Sequence, residues 1–362
     1  MNILFASGGS GGHMAPAIAI AEQLTKHRCI FTMSNKKVDE VFSKKYDQFP
    51  FVKARVTSFR WSPIAFLKFF HSQIASLRFA LRFLKENKID LVISFGGFSS
   101  FAFVLAAKIK KIPSILYESN VIPGKAIRIS SQFADKILLP NGVSLGEKKN
   151  IEHVDFPIRQ EFVDMSKADA RAQLGWPPSK KIILFIGGSN GAMVFNKWVQ
   201  QNFMRLAYHN VDIHCIGGSG FSEEKEITFE DCTLRMLPFC ENMNPVLRAC
   251  DLVIARAGAG TIAECQFCKK PMILIPHPLS ADNHQLANAK KAEKQGIAAV
   301  VEQNNLESLA SQILEMLSNS SILSSMQRNL EKTFVPRAAE QIASIVENFL
   351  QERKNKPKKR QT

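Results

Sequence analysis

The feature that most constrains the fold of this chain is an alternation of short apolar runs, many of them ending in glycine, with longer helical patterns. Short apolar runs of this kind are typical of strands buried on both faces of a parallel sheet. The predicted strands are Ile3–Ala6, Asp90–Ser94, Ser114–Tyr117, Lys181–Ile186, Val211–Ile216, Asp251–Ala255 and Pro271–Ile275. Strands that alternate with helices predict an α/β fold with doubly wound parallel sheets.

The sequence also repeats itself loosely, which predicts two domains of similar architecture. NILFASGGSGG is echoed by KIILFIGGSNG, and DLVISFGG is echoed by DLVIARAG. With 362 residues, the chain is long enough for two cores. We predict a Rossmann-like N-terminal domain over residues 1–158, completed by a C-terminal helix over 336–350. A second Rossmann-like domain is predicted over 159–335 and a disordered basic tail over 351–362.

The charge of the chain limits its partners. Its 47 Lys and Arg residues exceed its 32 Asp and Glu residues, which gives a formal net charge of +15. The basic residues do not concentrate in a recognisable nucleic-acid-binding module, so we expect no nucleic acid partner. The N-terminal segment has no basic residues ahead of its apolar run, and no apolar run is long enough to span a bilayer. We therefore expect a protein of the cytoplasm.

No metal and no cofactor are predicted. The chain has no D-x-D pair to hold a divalent ion on a diphosphate. Its seven cysteines are expected to be reduced; Cys265 and Cys268 form a C-x-x-C, but no second Cys or His pair lies at zinc-like spacing. The first glycine loop departs from the dinucleotide fingerprint, and the next predicted strand ends without an acid for a ribose, which disfavours NAD.

Two glycine loops are the candidate functional sites. The first, GGSGGH, follows a strand and opens a helix, so backbone N–H groups and the helix dipole favour an anion. His13 follows these glycines, where an imidazole can act as a general base; a structural role is the alternative. The second loop, Ala257–Glu264, suits a diphosphate. Glu264 either accepts hydrogen bonds from a ribose diol or complements the helix dipole. The polar cluster Asp282–Gln285 is a candidate for sugar hydroxyls.

Seven segments occur in the order and approximate spacing of the MurG family, over nearly the whole chain. They are GGSGGHMAPA, SFGGFSS, Tyr117–Asn120, Pro157–Arg159, FIGGSNGA, RAGAGTIAE and DNHQLANA. The chain therefore resembles the enzymes that transfer N-acetylglucosamine from UDP-N-acetylglucosamine to lipid I and so make lipid II for peptidoglycan. The resemblance implies the GT-B fold, two Rossmann-like domains with parallel sheets facing a cleft. It also implies that the C-terminal domain holds the nucleotide-sugar and the N-terminal domain the lipid acceptor.

The resemblance implies roles for individual residues. His13 would be the catalytic base of an inverting displacement. The residues that would bind UDP-N-acetylglucosamine are Ser10, Gly11, Gly12, Asn120, Arg159, Ser189, Cys240, Ala259, Gly260, Thr261, Ile262, Ala263, Glu264 and Gln285. Among them, Cys240 would present its backbone to the uracil, Glu264 would take the ribose hydroxyls, and Gln285 would contact the N-acetylglucosamine.

Three segments depart from the family pattern. The usual Gly-Asn-Pro is Asp155–Pro157, next to Arg159, and the usual His-Glu-Gln-Asn is Tyr117–Asn120. Ser10 stands where Thr is common and keeps the hydroxyl. The change at Tyr117 removes an imidazole from the site, and the loss of Gly-Asn alters the hinge before Arg159.

A segment rich in phenylalanine and basic residues is a candidate membrane patch. On a helical wheel, the residues of the core-facing side are Phe66, Phe70, Ile74, Leu77, Leu81 and Leu84. Those outside it that form the candidate patch are Phe69, Phe79 and Phe83, with Lys68, Arg78 and Arg82. This composition is typical of contact with an anionic lipid surface, and coverage of the phenylalanines by the rest of the protein is the alternative.

A lipid-linked acceptor favours the patch. We therefore expect a peripheral protein on the cytoplasmic face of the cell membrane, with UDP-N-acetylglucosamine, lipid I and anionic lipid as partners. Other proteins of cell-wall synthesis or cell division are further candidate partners. Two alternative functions stay open: another GT-B transferase with a UDP-sugar donor and a lipid acceptor, and a non-catalytic UDP-sugar-binding protein that needs no base.

Overall fold

The computed structural model describes residues 1–54, 63–147, 150–188, 192–218 and 223–355, and for 63–71 and 98–99 it describes the backbone alone. The chain divides into two compact units. One contains Met1–Ser119, Pro123–Arg159 and the described residues from Pro336 onward. The other contains Asn120–Ile122 and Gln160–Val335.

The first unit is built on a parallel sheet with helices on both faces. Its strands are β1 (Asn2–Ala6), β2 (Arg28–Met33), β3 (Phe51–Lys53), β4 (Leu91–Ser94), β5 (Ser114–Tyr117), β6 (Lys136–Leu139) and β7 (Ile151–His153). Its first helices are α1 (Gly11–Ala21), α2 (Lys37–Lys45), α3 (Pro63–Glu86), α4 (Phe98–Lys110) and α5 (Lys125–Ser130). The strand order is β3-β2-β1-β4-β5-β6-β7, so the first strand lies near the centre.

The second unit repeats this arrangement. Its strands are β8 (Lys181–Ile186), β9 (Val211–Ile216), β10 (Lys225–Phe229), β11 (Cys232–Leu237), β12 (Leu252–Ala255), β13 (Met272–Leu274) and β14 (Ala298–Val300). Its helices are α6 (Lys167–Leu174), α7 (Met193–Ala207), α8 (Met243–Ala249), α9 (Ala259–Phe267), α10 (His284–Lys294), α11 (Leu309–Ser318) and α12 (Ser320–Thr333). The order is β10-β11-β9-β8-β12-β13-β14, and only β10 is paired antiparallel within the described sheet. The prediction of two Rossmann-like units is confirmed.

Buried strand residues explain this architecture. Phe5 on β1 packs into the cluster that includes α1, whereas its neighbour Leu4 packs into the cluster that includes α3 and α4. Consecutive side chains on a strand point to opposite faces, so both faces of the sheet need helices to cover them. The glycine loops lie at the carboxyl ends of these strands, where open α/β sheets bind ligands.

The final helix, α13 (Ala338–Asn355), belongs to the first unit and packs against α1. It runs farther than predicted, because Arg353 pairs with Asp135 and its guanidinium lies 5.3 Å from the centre of the Phe349 ring. Residues 351–355, predicted to begin the disordered tail, are therefore helical. The remainder of that predicted tail lies outside the described residues.

The buried face of α3 differs from the helical-wheel prediction. Phe83 is only 8% exposed and packs with Leu84 against Phe103 of α4, so its assignment to the exposed patch is wrong. Ile74, predicted as core, is 38% exposed, and Phe79 is 37% exposed. The face is set by the contact between α3 and α4, which a wheel of α3 alone does not contain. The side chains of Lys68 and Phe69 lie outside the described part.

Three further results concern the cysteines, the metal-ligating side chains and the helices of the described residues. The seven cysteines are unpaired, and burial raises the pKa of Cys268 in the C-x-x-C to about 12, which suits helix packing. Within the described ranges, no three His, Cys, Asp or Glu side chains are grouped so as to hold a metal ion. None of the described helices is both long and apolar enough to cross a bilayer.

Candidate active site

The first glycine loop joins β1 to α1 by a close approach to β2. A Cβ atom on Gly8 would lie 2.9 Å from the Cα atom of Met33, and Gly9 has a φ of +109°, so both positions favour glycine. Ser10 precedes α1 and its carbonyl oxygen accepts from His13 N at 3.1 Å. The helix has no side-chain cap and no acid in its first turn. Its first N–H groups are therefore suited to an anion.

His13 occupies the first turn of α1, next to Gly96. A Cβ atom on Gly96 would lie 3.7 Å from His13 Nε2, and His13 Nδ1 is buried without a hydrogen-bond partner among the described residues. Burial is the main effect on the pKa of His13 and lowers it below 6.5, although Glu118, the Gly8 carbonyl and Asp39 oppose this effect. The imidazole is thus neutral at pH 7, which is the state that a general base requires.

Glu118 is a buried carboxylate directly after β5. Its Oε1 atom accepts from Ser119 N at 2.9 Å and its Oε2 atom from Gly124 N at 3.0 Å. Its charge raises the pKa of His13, so it stabilises the protonated imidazole once a proton has been accepted. The sequence marked this residue within Tyr117–Asn120 without predicting that role.

The second glycine loop leads into α9. Gly258 precedes the helix, which has no side-chain cap and no acid in its first turn. The site residues Ala259–Ala263 form the beginning of this helix, and Glu264 follows in the second turn, half-buried. A Cβ atom on Gly258 would meet no atom closer than Thr261 Oγ1 at 3.9 Å. An open helix start of this kind can accept a diphosphate.

A buried arginine lies directly before the second loop. Arg256, directly after β12, donates to the carbonyl oxygen of Ile275 at 3.1 Å and to Gln303 Oε1 at 2.6 Å. Its guanidinium lies 4.9 Å from the centre of the Phe195 ring. Burial lowers the pKa of Arg256 to about 10, so the side chain still carries a full positive charge at pH 7. It lies in the sequence RAGAG, but sequence analysis assigned it no role.

Asn288 of α10 connects two predicted site segments. Its Nδ2 atom donates to Asn120 Oδ1 at 3.0 Å and to the Ala257 carbonyl oxygen at 3.1 Å, and its Oδ1 atom accepts from Val121 N at 3.0 Å. Asn120 is thereby held beside the second glycine loop. Gln285 lies three residues before Asn288 on the same helix, and its Oε1 atom accepts from His277 N at 2.9 Å. Sequence analysis predicted no role for Asn288, although a residue three positions after Gln285 lies on the same face of a helix.

The remaining predicted residues lie in other surroundings. Arg159 is buried in the first unit, where it donates to Tyr46 Oη at 3.2 Å and its guanidinium lies 5.7 Å from the centre of the Phe42 ring. Its role at the phosphates stays a prediction. Cys240 is half-buried after β11, with its Sγ atom 3.3 Å from the Asn242 carbonyl oxygen. Ser189 lies outside the described residues. The structure thus groups Ser10–His13 in the first unit, and Asn120, Ala259–Glu264 and Gln285 in the second.

Comparisons with known proteins agree with the division into two domains. The glycosyltransferase family 28 N-terminal domain matches residues 3–139, and the glycosyltransferase family 28 C-terminal domain matches residues 182–342. In solved structures, MurG of Acinetobacter baumannii superimposes with a TM-score of 0.71 at 23% identity, covering 96% of this chain and 99% of that one. This likeness shows the fold, which is GT-B as predicted.

Two relatives are similar over most of their length. Both are named UDP-N-acetylglucosamine--N-acetylmuramyl-(pentapeptide) pyrophosphoryl-undecaprenol N-acetylglucosamine transferase. The protein from Opitutus terrae is 36% identical over 91% of this chain and 90% of its own length. The one from Thermoanaerobacter sp. is 32% identical over 96% of this chain and all of its own length. With both halves matched in order, the chain belongs to the MurG family of glycosyltransferases.

Proposed function

We propose that this protein transfers N-acetylglucosamine from UDP-N-acetylglucosamine to the 4-hydroxyl of the muramoyl sugar of lipid I, giving lipid II. The observation that carries this proposal is the 36% identity, over nearly the full length of both chains, with a relative named for that transfer. The two glycine loops supply the two kinds of chemistry that it needs, a proton acceptor and a receptor for a diphosphate.

The second unit stabilises the leaving group. In the proposed reaction the bond between the anomeric carbon and the UDP oxygen breaks, and UDP leaves with the bonding electrons. The N–H groups at the start of α9 and the buried charge of Arg256 favour this developing negative charge. Because they are fixed before the reaction, no reorganisation is needed in the transition state.

The first unit activates the acceptor. The 4-hydroxyl oxygen attacks the anomeric carbon from the face opposite UDP, so the configuration inverts, and its proton passes to the neutral imidazole of His13. Glu118 stabilises the imidazolium that forms. A general base of this kind typically contributes about 100- to 10,000-fold in rate.

The test is a transfer assay with the full chain, radiolabelled UDP-N-acetylglucosamine and a lipid I analogue in several detergents. We expect a labelled disaccharide-lipid. Label on other lipid acceptors alone would favour a different GT-B transferase, and UDP-sugar binding without any product would favour a non-catalytic binding protein. Either result would contradict the proposal.

We further propose that α3, α4 and α5 form a surface for anionic lipid on the cytoplasmic face of the membrane. These helices pack in sequence, α3 on α4 and α4 on α5. Their exposed apolar residues are Ile74, Phe79, Ile109 and Ile129. Exposed basic residues on the same helices are Arg78, Arg82, Lys108, Lys110 and Arg128. Each basic residue near an anionic leaflet favours binding by about 1 kcal/mol. Partners in cell-wall synthesis or division remain predictions.

The lipid surface is tested by co-sedimentation with vesicles that contain or lack anionic lipid. We expect Arg78→Glu/Arg82→Glu to weaken binding to anionic vesicles. The matched control is Lys290→Glu/Lys294→Glu, a pair with the same spacing on the exposed side of α10. Equal binding by the wild type and the Arg78/Arg82 variant would contradict a role for these two arginines.

A further inference from the structure

The loop between β1 and α1 is held by the beginning of α2. Asp39 is fully buried, and its Oδ2 atom accepts hydrogen bonds from Gly9 N at 2.8 Å, Ser34 N at 2.6 Å and Ser34 Oγ at 2.7 Å. Lys36 Nζ donates to the carbonyl oxygen of the same Gly9 at 2.7 Å. Both backbone polar atoms of Gly9 are therefore fixed by side chains of opposite charge.

The orientation of Gly9 controls the direction of α1. With a φ of +109°, Gly9 makes the turn, Ser10 is extended, and the helix begins at Gly11. His13 follows in the first turn, so a rotation of the Gly9 peptide displaces the imidazole. A misplacement of about 1 Å in an active site can cost about 100-fold in rate.

The hydrogen bonds of the loop do not require a negative charge on residue 39. One oxygen accepts all three hydrogen bonds, and the amide oxygen of an asparagine could accept the same three. The other oxygen, Oδ1, is buried and has no partner among the described residues. Burying an ionised carboxylate with one unpaired oxygen costs free energy, so the negative charge needs a further explanation. His13 lies close enough to be influenced by it.

We propose that Asp39 is a positioning residue of the transfer reaction: together with Lys36 it holds Gly9, places His13 against the acceptor hydroxyl, and stabilises the imidazolium. This inference rests on the proposed function, in which His13 accepts the proton. It assigns the beginning of α2 to the catalytic machinery, where both residues act through Gly9 and His13.

Three charged groups face His13 from the elements around it. Glu118, after β5, and Asp39, on α2, raise the pKa of His13, whereas Lys36, at the start of α2, lowers it. The base must be unprotonated, so kcat/KM falls at low pH as His13 takes up a proton. This fall is the acid limb of the pH profile. Removal of the Asp39 charge lowers that pKa and moves the acid limb to lower pH. Removal of the Lys36 charge moves it to higher pH.

The experiment compares Asp39→Asn and Lys36→Met of the full chain in the lipid I transfer assay from pH 5 to 9. The controls are Glu40→Gln and Lys37→Met, which neutralise the neighbouring exposed residues of α2. We expect Asp39→Asn to lower kcat by about 10- to 100-fold. We expect unchanged UDP binding by calorimetry, because the nucleotide is proposed to bind the second unit. The acid limbs of the two variants should move in opposite directions, and those of the controls should not move.

Purely structural damage to the loop would lower the rate at every pH and leave both acid limbs in place, and this result would overturn the proposal. Wild-type kcat in Asp39→Asn would also overturn it. If Asp39→Asn does not fold, Lys36→Met still tests the proposal, because Lys36 is exposed. An acid limb at the same pH as in the wild type then contradicts the proposal. His13→Ala is measured alongside: wild-type kcat in that variant refutes the base assignment itself, whereas a low kcat there with normal Asp39→Asn refutes only the inference.

Discussion

The starts of α1 and α9 share the same backbone arrangement but differ in the sign of the associated buried charge. Both helices follow a glycine turn after a strand near the centre of the sheet, without a side-chain cap or an acid in the first turn. The buried carboxylates of Asp39 and Glu118 influence His13 in the first turn of α1, whereas the residue before the second glycine loop is Arg256, whose guanidinium is buried. This difference in buried charge is the basis for proposing different functions for two similar helix starts.

Magnitudes support this interpretation. A helix dipole contributes about 0.3–1 kcal/mol at an exposed terminus and up to about 2 kcal/mol in a partly buried one. A full charge in a buried position has a larger effect, because water screens it less. In the proposed mechanism, the buried acids therefore allow the α1 start to hold a base that becomes a cation. In the proposed mechanism, the α9 start instead receives the anion that leaves.

The largest effect is expected from His13→Ala, which removes the base from the α1 start. We expect kcat to fall by about 100- to 10,000-fold, with unchanged UDP affinity because the α9 start is intact. Steady-state kinetics with saturating substrates and calorimetry with UDP measure the two quantities. His209→Ala, at an exposed histidine of the second unit, is the control. Turnover equal to wild type would remove the functional difference between the two helix starts.

Glu264→Ala tests the α9 start. A hydrogen bond to a charged group is worth about 1.5–3 kcal/mol, so losing bonds to the ribose diol should raise the KM for UDP-N-acetylglucosamine about 10-fold or more. Wild type should prefer UDP over 2′-deoxy-UDP, and the variant should lose that preference. Retained preference would indicate that Glu264 only complements the helix dipole. Glu293→Ala on α10 is the exposed control.

Gly8→Ala and Gly258→Ala compare the packing of the two turns. The new Cβ atom at Gly8 would lie 2.9 Å from Met33 Cα, so the backbone must shift, at a cost of about 1–3 kcal/mol. At Gly258 the nearest atom is 3.9 Å away and φ is −73°, so we expect a change of less than about 0.5 kcal/mol. Urea unfolding measures both. Equal destabilisation would show that the two turns are equally tight.

The last effect is confined to acidic pH and concerns a second buried imidazole that the mechanism does not use. His214 on β9 stacks on Trp176 with ring centres 3.9 Å apart, and burial lowers its pKa to about 3. The unfolded chain binds this proton near the usual value of 6.5, so stability present above that pH is lost as the pH falls from 6.5 toward 3. The loss is about 1.4 kcal/mol per pH unit. Urea midpoints at several pH values should depend less on pH in His214→Gln, and an unchanged slope would contradict this account.

Strands and glycine loops were predictable because their signals are local. The strands β3, β6, β7, β10, β11 and β14 were missed. Of these, β3, β7 and β14 have three residues each, and β10 and β11 are only partly buried, so they lack a continuous apolar run. The burial of Phe83 depends on its contact with Phe103, which the α3 sequence does not contain. Asp39 and Asn288 were missed as site residues because their contacts with Gly9 and Asn120 cross 30 and 168 positions of the chain.

Because α13 comes from the last part of the chain, the first unit lacks one of its helices during most of synthesis. The second unit contains Gln160–Val335, 176 residues that leave the ribosome before the last helix of the first unit exists. At about 5–20 residues per second, this interval lasts about 9 to 35 s. Throughout it, the face of α1 that later meets Ile342 and Val346 lacks its cover. The second unit can complete its core first, so the unit that begins the chain is the last to finish folding.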